Sequence, residues 1–285
     1  MEPGSGVTGG EVHVSDASAS RDLTVDASTH VDWSTTIVQV GRPAEVTFPV
    51  RVGEPPLVVA GFTGRDGVLA QLAGALGDGS SALVTQGLVG LGGAGKSQLA
   101  ARYVQDHAAE FDVVLWVRAE ADPTVGFARL AARLGLQGDD LVEQARAAKG
   151  WLSETDRSWL LVLDNVPDAA TVAEWVPSLG CGPVIVTSRN RQVGRFSEVV
   201  VVDVFDADTA AGFLLERTGS SDRAGAEAVA SGLGGLPLAL GHAAAYVARS
   251  GCSFDEYLKR LVGLPAQEMF GQDPVRAYEE TVAST

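Results

Sequence analysis

One eight-residue stretch, Gly-Leu-Gly-Gly-Ala-Gly-Lys-Ser at positions 90–97, constrains the fold of this chain more than any other. It matches the phosphate-binding loop pattern G-x-x-x-x-G-K-[ST] at every position. Glycine adopts backbone conformations that a Cβ would forbid, so successive N–H groups can point into one concavity. A helix is predicted from Ser97, and its positive N-terminal end would face the same anion. We predict that residues 82–89, before the loop, form a buried strand.

The loop motif assigns a chemical role to each of its last two residues. Lys96 would reach the β- and γ-phosphates of a nucleotide, and the Ser97 hydroxyl would ligate Mg²⁺. The residues predicted to contact the nucleotide from this loop are Gly90, Gly92, Gly93, Ala94, Gly95, Lys96, Ser97 and Gln98. The alternative is a glycine-rich turn that binds nothing.

A second apolar run, Trp-Leu-Leu-Val-Leu at 159–163, ends in Asp164. Continuous apolar runs are typical of buried parallel strands, and open parallel sheets bind ligands at the carboxyl ends of their strands. Asp164 and the loop at 90–97 would therefore meet at one crevice, where the carboxylate would hold Mg²⁺ directly or through water. The alternative is that Asp164 caps the turn-rich segment 165–168.

Composition and charge exclude several classes of protein. The net charge is −15, from 36 acidic and 21 basic residues, which opposes non-specific nucleic-acid binding. No apolar run reaches the ~18 residues that a membrane-spanning helix needs. The first thirty residues lack the pattern of a signal peptide, and two cysteines are too few for a disulfide framework. We expect a cytoplasmic protein that binds neither nucleic acid nor membrane directly.

The order of apolar strands and helices predicts an α/β fold, a three-layer parallel sheet followed by a small helical bundle. The predicted strands lie at 82–89, 111–117, 159–163, 183–187 and 199–204. Helical patterns separate them, and parallel strands joined by helices form a sheet covered on both faces. Beyond Ala207 the pattern is helical only, which predicts the C-terminal bundle.

Six elements in this order resemble the NB-ARC branch of the STAND (AP-ATPase) class of P-loop NTPases. That branch includes apoptotic adaptors, plant resistance proteins and bacterial, including actinobacterial, NB-ARC/TPR regulators. The elements are Phe-Thr-Gly-Arg at 62–65, the loop at 90–97, the strand ending in Trp-Val at 111–117, the acidic strand at 159–164, Val-Ile-Val-Thr-Ser-Arg at 184–189 and Gly-Leu-Pro-Leu-Ala-Leu at 235–240.

The resemblance implies ATP or ADP and Mg²⁺ as cofactors, with Ser97 and Asp164 as metal ligands. The residues implied to act in hydrolysis or in sensing the γ-phosphate are Lys96, Asp164 and Arg189. Those implied to contact adenine or the rest of the nucleotide, beyond the loop, are Phe62, Thr63, Arg65, Pro237 and Leu238. Structural alternatives stay open. Arg65 and Arg189 could each form a surface ion pair, and Pro237 could simply start a helix.

Position 165 departs from the family, which usually carries a second acidic residue after the strand aspartate. Here the residue is Asn165. A neutral amide can position a water molecule but is a poor proton acceptor. We therefore expect a weak ATPase at most.

The resemblance also divides the chain into four segments. Residues 1–57 are predicted as a weakly structured or short-strand leader, or an edge attachment, and 58–205 as the nucleotide-binding domain. Residues 206–268 would form the helical (ARC1-like) subdomain. The last segment, 269–285, is predicted as a linker and the start of a truncated winged-helix domain.

The leading interpretation is a molecular switch with an ADP-bound resting state, an ATP-bound active state and slow hydrolysis. Alternatives are a turnover P-loop ATPase or kinase, and a non-hydrolysing interaction module stabilised by nucleotide. Protein partners, effectors or sensors, are expected but unidentified. In its present length the chain is expected to be a monomer, since strong like charge opposes self-association.

Overall fold

The computed structural model describes residues 46–59, 62–77, 81–86, 93–177, 182–190, 192–193 and 198–263. Within these ranges six strands form one sheet in the order β1-β3-β4-β5-β2-β6, and every neighbouring pair is parallel. In chain order the strands are β1 Val50–Val52, β2 Ser81–Gln86, β3 Val113–Arg118, β4 Trp159–Val166, β5 Val184–Ser188 and β6 Glu198–Val202.

Nine α-helices accompany the sheet in the described part of the chain, together with a 3₁₀ turn at Ala108–Glu110. The first five are α1 Asp66–Ala75, α2 Lys96–His107, α3 Thr124–Arg133, α4 Leu141–Glu154 and α5 Ala169–Trp175. The last four are α6 Ala207–Thr218, α7 Arg223–Gly232, α8 Pro237–Ser250 and α9 Phe254–Gly263.

The two faces of the sheet are buried under different helices, as the alternation of side chains along β3 illustrates. Val113, Leu115 and Val117 lie in one core with residues of α3, α4 and α5. Val114 and Trp116 lie in the other, with residues of α1 and α2. Successive side chains of a strand point to opposite faces, so a strand buried on both faces must be apolar throughout. The predicted three-layer α/β fold is confirmed.

The helices α6 to α9 bury a third core of their own, which confirms the predicted C-terminal bundle. Alanines, leucines and aromatic side chains dominate it, including the buried Phe254 and Tyr257. Asp206 and Asp222 cap α6 and α7 by accepting hydrogen bonds from the backbone N–H groups of Thr209 and Gly225, each at 2.9 Å. Such caps satisfy donors that the first helical turn leaves without a partner.

Each of the five predicted strands is present, although residues 87–89 of the first lie outside the described ranges. The segment 1–57 is expected to be a weakly structured or short-strand leader, or an edge attachment. Its described part contains the short strand β1, which lies at the edge of the sheet and pairs with β3 through Val50 and Val113. One helix was not predicted. The helix α5 follows the segment 165–168 predicted as a turn, and Asp168 caps it by accepting from Thr171 N–H at 2.9 Å.

The order of the strands brings the predicted site elements to one edge of the sheet. Val84 of β2 pairs with Thr187 of β5, and Leu163 of β4 pairs with Val186 of the same strand. Because all strands are parallel, the carboxyl ends of β2, β4 and β5 lie at the same edge of the sheet. Among the described helices, none combines the length and apolar character that crossing a bilayer requires.

Candidate functional site

A cavity of about 390 Å³ opens at this edge of the sheet, where residues 93–98 and the ends of β4 and β5 meet the helical bundle. We call it the loop cavity. It is lined by every predicted site residue that the structure describes, namely Phe62, Thr63, Arg65, Gly93, Ala94, Gly95, Lys96, Ser97, Gln98, Asp164, Arg189, Pro237 and Leu238. Gly90 and Gly92 lie outside the described residues. The structure thus brings the candidates together, and what each one binds stays a prediction.

The phosphate-binding loop at 90–97, the glycine loop, ends in a backbone conformation that only glycine adopts readily. Gly93 and Gly95 have φ angles of 88° and 93°, in the left-handed region. Gly95 is the N-cap residue of α2 and carries no side chain to bond the first N–H groups of that helix. These donors and the positive end of the helix therefore remain directed toward a ligand at the cavity.

Asp164 is held at the cavity by two hydroxyl groups. Ser97 Oγ donates a hydrogen bond to Asp164 Oδ1 at 2.7 Å, and Thr187 Oγ1 donates to the same oxygen at 2.5 Å. Thr187 in turn accepts from the Asn165 backbone N–H at 2.8 Å. The carboxylate is 8% exposed. Strands β4 and β5 and helix α2 thus fix one carboxylate and one hydroxyl side by side.

The oxygen donors of this pair fit Mg²⁺. This ion is usually bound through one or two protein oxygens, and phosphates and water complete its coordination. Ser97 and Asp164 are neighbours that supply a hydroxyl and a carboxylate oxygen at the end of the phosphate-binding loop, where α2 begins. The residues present are therefore compatible with the predicted metal site.

The loop cavity is basic although the chain is acidic. Its charged lining consists of five basic residues, Arg65, Lys96, Arg118, Arg189 and Arg217, and two acidic ones, Glu120 and Asp164. The whole chain has a net charge of −15. A cleft lined by one sign of charge attracts ligands of the opposite sign. The charge distribution therefore favours an anionic ligand here.

Lys96 is 9% exposed, and its environment disfavours the charge it carries. Burial lowers the pKa of Lys96, the nearby Arg189 lowers it further, and Asp164 raises it in part. A buried ammonium group next to another cation is costly unless an anion joins them. An anion bound beside Lys96 and Arg189 would therefore favour the charged form of the lysine.

Arg65 joins three segments around the cavity. Its Nη2 donates to the carbonyl oxygens of Asp203 at 2.6 Å and Ala94 at 3.2 Å, and its guanidinium carbon lies 4.8 Å from the centre of the Phe205 ring. The residue is 8% exposed, and burial lowers its pKa. The alternative of a surface ion pair is wrong for this arginine. Its predicted contact with adenine stays a prediction.

The helical bundle touches the glycine loop directly. The Leu238 N–H, in the first turn of α8, donates to the Gly93 carbonyl at 3.2 Å. A Cβ added to Gly93 would lie 2.7 Å from Leu238 Cβ, so only glycine permits this approach. Pro237 is the first residue of α8, where a missing N–H leaves no helical bond unmade. The loop cavity is therefore built from the sheet and the bundle together.

Gln98, one turn into α2, anchors the segment that leads to Phe62. Its side chain donates from Nε2 to the Leu57 carbonyl and accepts at Oε1 from the Val59 N–H, both at 3.0 Å. Both bonds are made by the amide, so this predicted nucleotide contact also has a structural role.

Ten further lining residues were not among the predicted site residues. They are Pro56, Val59, Arg118, Glu120, Asn165, Thr187, Phe205, Phe213, Arg217 and Gly241. Arg118 ends β3 and Glu120 follows it. The pattern that predicts Asp164, a charged residue at the carboxyl end of an apolar run, therefore also applies to them. Phe213 and Arg217 lie on α6, and they line the cavity only because of the way the bundle docks.

The cost of burying Lys96 predicts that Lys96→Met makes the ligand-free protein more stable. Methionine keeps the length of the side chain and removes its charge, and a gain of 1 kcal/mol corresponds to about 2–4 °C in Tm for a domain of this size. Because the folded pKa lies below the ordinary 10.5, the advantage should shrink as pH rises from that lowered pKa toward 10.5. Thermal unfolding of ligand-free protein at several pH values measures this.

The matched control for this prediction is Lys259→Met. Lys259 is exposed and pairs with Asp255 at 2.6 Å, an interaction that raises its pKa. Its replacement should not increase Tm at neutral pH. A lower Tm for Lys96→Met than for the wild type would show that the buried charge is already compensated without a ligand.

Comparison with known proteins identifies the family of this chain. The family model for the NB-ARC domain matches residues 65–221, more than half of the chain. The regulatory protein AfsR of Streptomyces griseus is 30% identical over 233 residues, which are 74% of this chain and 24% of that protein. AfsR of Streptomyces coelicolor is 30% identical over 224 residues, 71% and 22% of the two chains. The chain therefore spans about a quarter of the length of these relatives.

Solved structures resemble the fold at low sequence identity. Cdc6p from Pyrobaculum aerophilum has a TM-score of 0.50 at 16% identity, over 70% of this chain and 65% of that one. A Signal Transduction ATPase with Numerous Domains (STAND) protein with a tetratricopeptide repeat sensor, from Pyrococcus horikoshii, has a TM-score of 0.45 at 18% identity, over 67% and 30% of the two chains. By the match of its family model, the chain belongs to the NB-ARC domain family of STAND-class P-loop NTPases.

Proposed function

We propose that this chain is an ADP- and ATP-binding switch that rests with ADP, is active with ATP and hydrolyses ATP slowly. One observation carries the proposal: the loop cavity is lined by both the glycine loop and the first turn of α8, which meet through Gly93 and Leu238. A ligand in this cavity contacts the sheet domain and the helical bundle at once. Whether ADP or ATP is bound would therefore affect how the sheet domain and the helical bundle contact each other.

The lining of the cavity supports a nucleotide as that ligand. Its basic residues suit a polyphosphate, and residues Gly93 to Ser97 of the phosphate-binding motif line it. Apolar and aromatic side chains suit an adenine base, and they are Val59, Phe62, Phe205, Phe213 and Pro237. Concave sites with an apolar lining and a few placed polar groups are typical of nucleotide sites.

Ser97 and Asp164 are the residues proposed to hold Mg²⁺. The ion would neutralise charge on the phosphates as the reaction proceeds. Lys96 would orient the phosphates and balance their charge, while the N–H groups at the start of α2 would donate to them. These residues bind and orient, and the reaction needs in addition a group that removes a proton from water.

The switch requires a contact that ATP makes and ADP does not. Arg189 follows β5, lines the cavity and lies close enough to Lys96 to lower the pKa of that lysine. We assign the γ-phosphate to this arginine. A ligand shifts a conformational equilibrium only by its difference in affinity for the two states. The contact with Arg189 would provide that difference.

The relatives support a regulatory role for the whole protein, because the two AfsR proteins are named as regulatory proteins. This chain matches about a quarter of their length, so its protein partners, effectors or sensors, are proposed and not identified. We expect the nucleotide-bound chain to be a monomer, because its net charge of −15 opposes self-association.

Calorimetric titration with ADP tests nucleotide binding. Lys96→Met should lose at least about tenfold in affinity, because a charged hydrogen bond contributes roughly 1.5–3 kcal/mol. Lys259→Met, whose lysine is exposed and outside the cavity, should bind as the wild type does. Equal affinities for the wild type and Lys96→Met would contradict the proposed site.

Discrimination between ATP and ADP tests the switch. Arg189→Ala should lower the affinity for a non-hydrolysable ATP analogue about tenfold or more and leave the affinity for ADP nearly unchanged. Arg133→Ala, at the exposed end of α3, is the control and should change neither value. Equal losses for both nucleotides would make Arg189 a general phosphate contact, and the proposed basis of the switch would be wrong.

A further inference from the structure

The carboxylate of Glu120 lies at the one edge of the sheet where the proposed reaction takes place. Glu120 follows β3, and in the register of the sheet Arg118 of β3 pairs with Asp164 of β4. Two residues beyond that pair, Glu120 lines the loop cavity together with Lys96 and Asp164. It is exposed, so a water molecule can reach it.

Asn165 holds this carboxylate in place. Its side-chain Nδ2 donates a hydrogen bond to Glu120 Oε2. Asn165 has a φ angle of 61°, and its backbone N–H donates to Thr187 Oγ1 at 2.8 Å. Asparagine tolerates this left-handed conformation better than most residues with a Cβ. The hydrogen bond to Thr187 of β5 therefore fixes the backbone of Asn165, which carries the amide.

A second contact fixes the chain just before Glu120. The N–H of Ala119 donates to the Asp164 carbonyl at 2.7 Å, and Ala119 is 1% exposed. Glu120 is thus tied to the acidic strand both through its own side chain and through its buried neighbour. Such double anchoring orients a side chain more closely than one surface contact does.

The two acidic residues of the cavity differ in their surroundings. Asp164 is buried, and its Oδ1 already accepts two hydroxyl hydrogen bonds at 2.7 and 2.5 Å, in a position suited to the metal. Glu120 is exposed, and its carboxylate accepts a hydrogen bond from the neutral Asn165 amide. Asn165 cannot take up a proton at neutral pH. Of the groups lining the cavity, Glu120 is the carboxylate available to do so.

We propose that Glu120 is the general base for ATP hydrolysis and that Asn165 is a residue that positions it. The inference rests on the proposed function of the cavity. The Glu120 carboxylate takes one proton from a water molecule, and the water oxygen forms a bond to the γ-phosphorus. The bond from that phosphorus to the β–γ bridging oxygen breaks, and its electron pair stays with ADP. The products are ADP and inorganic phosphate, and Glu120 passes its proton to solvent.

The proposal explains how a chain with asparagine at position 165 could still hydrolyse ATP. The acidic group would come from the neighbouring strand β3, and the amide would orient it instead of replacing it. An aspartate at position 165 would place two carboxylates in contact and remove the donor. Asn165→Asp is therefore expected to slow hydrolysis.

The test compares Glu120→Gln with the wild type in three measurements on the whole chain. ADP affinity should stay within twofold. The single-turnover rate of ATP hydrolysis should fall by about 10²-fold or more, the usual contribution of a general base. Affinity for ADP with aluminium fluoride and Mg²⁺, which mimics the phosphoryl group in transfer, should fall at least tenfold. Glu154→Gln, at the exposed end of α4, is the control and should match the wild type.

Asn165→Ala separates the positioning role from that of the base. It should slow hydrolysis less than Glu120→Gln does, and the double variant should be no slower than Glu120→Gln alone, because coupled residues are not additive. Additive losses would contradict the assignment of Asn165.

The outcomes distinguish the inference from the function on which it rests. A wild type that does not bind ADP would contradict the proposed function. If the wild type binds ADP, three results would each overturn the inference about Glu120. The first is a wild type that does not hydrolyse ATP, and the second is a Glu120→Gln variant that hydrolyses ATP at the wild-type rate. The third is a Glu120→Gln variant that has lost its affinity for ADP as well.

Discussion

The contact between Gly93 and Leu238 is the constraint on which the arrangement of the site depends. A single backbone hydrogen bond of 3.2 Å and the absence of a Cβ at Gly93 let the first turn of α8 lie against the glycine loop. Its net energy alone is modest, since one hydrogen bond contributes about 1 kcal/mol. Its importance is geometric, because it makes the bundle a wall of the loop cavity. Gly235 has a φ angle of 66°, and its carbonyl accepts from the Phe205 N–H at 2.9 Å, which holds the start of α8 near the end of β6.

The parallel sheet supplies the other walls. Parallel strands end at one edge, so Asp164 of β4 comes together with Thr187 of β5 and with Arg189, which follows β5. Hydrogen bonds then fix their positions, since the hydroxyls of Ser97 and Thr187 both donate to the Asp164 carboxylate. Burial and the nearby Arg189 lower the pKa of Lys96, so the ligand-free site disfavours the charge of this lysine. A functional site of this kind trades stability of the free protein for affinity.

The elements that could be predicted from the sequence are those marked by a short motif or by an apolar run. The glycine loop has a fixed motif, and the strands at 113–118 and 159–166 are nearly continuous apolar runs, as burial on both faces demands. The helix α5 has only seven residues, too few for a helical period to appear, and its N-terminus is marked mainly by Asp168. Glu120 follows an apolar strand, as a local pattern can show, but its partner cannot be predicted locally. Its contact with Asn165 depends on the pairing of β3 with β4, which only the folded sheet defines.

The central claim is that one nucleotide joins the sheet domain to the helical bundle, and hydrogen–deuterium exchange with and without ADP tests it most directly. Amide exchange reports local opening of backbone hydrogen bonds. ADP should slow exchange both in peptides covering the loop and the start of α2, residues 93–100, and in peptides covering the start of α8, residues 237–241. Slower exchange at the loop with no change at α8 would contradict the account, because the nucleotide would then bind the sheet domain alone.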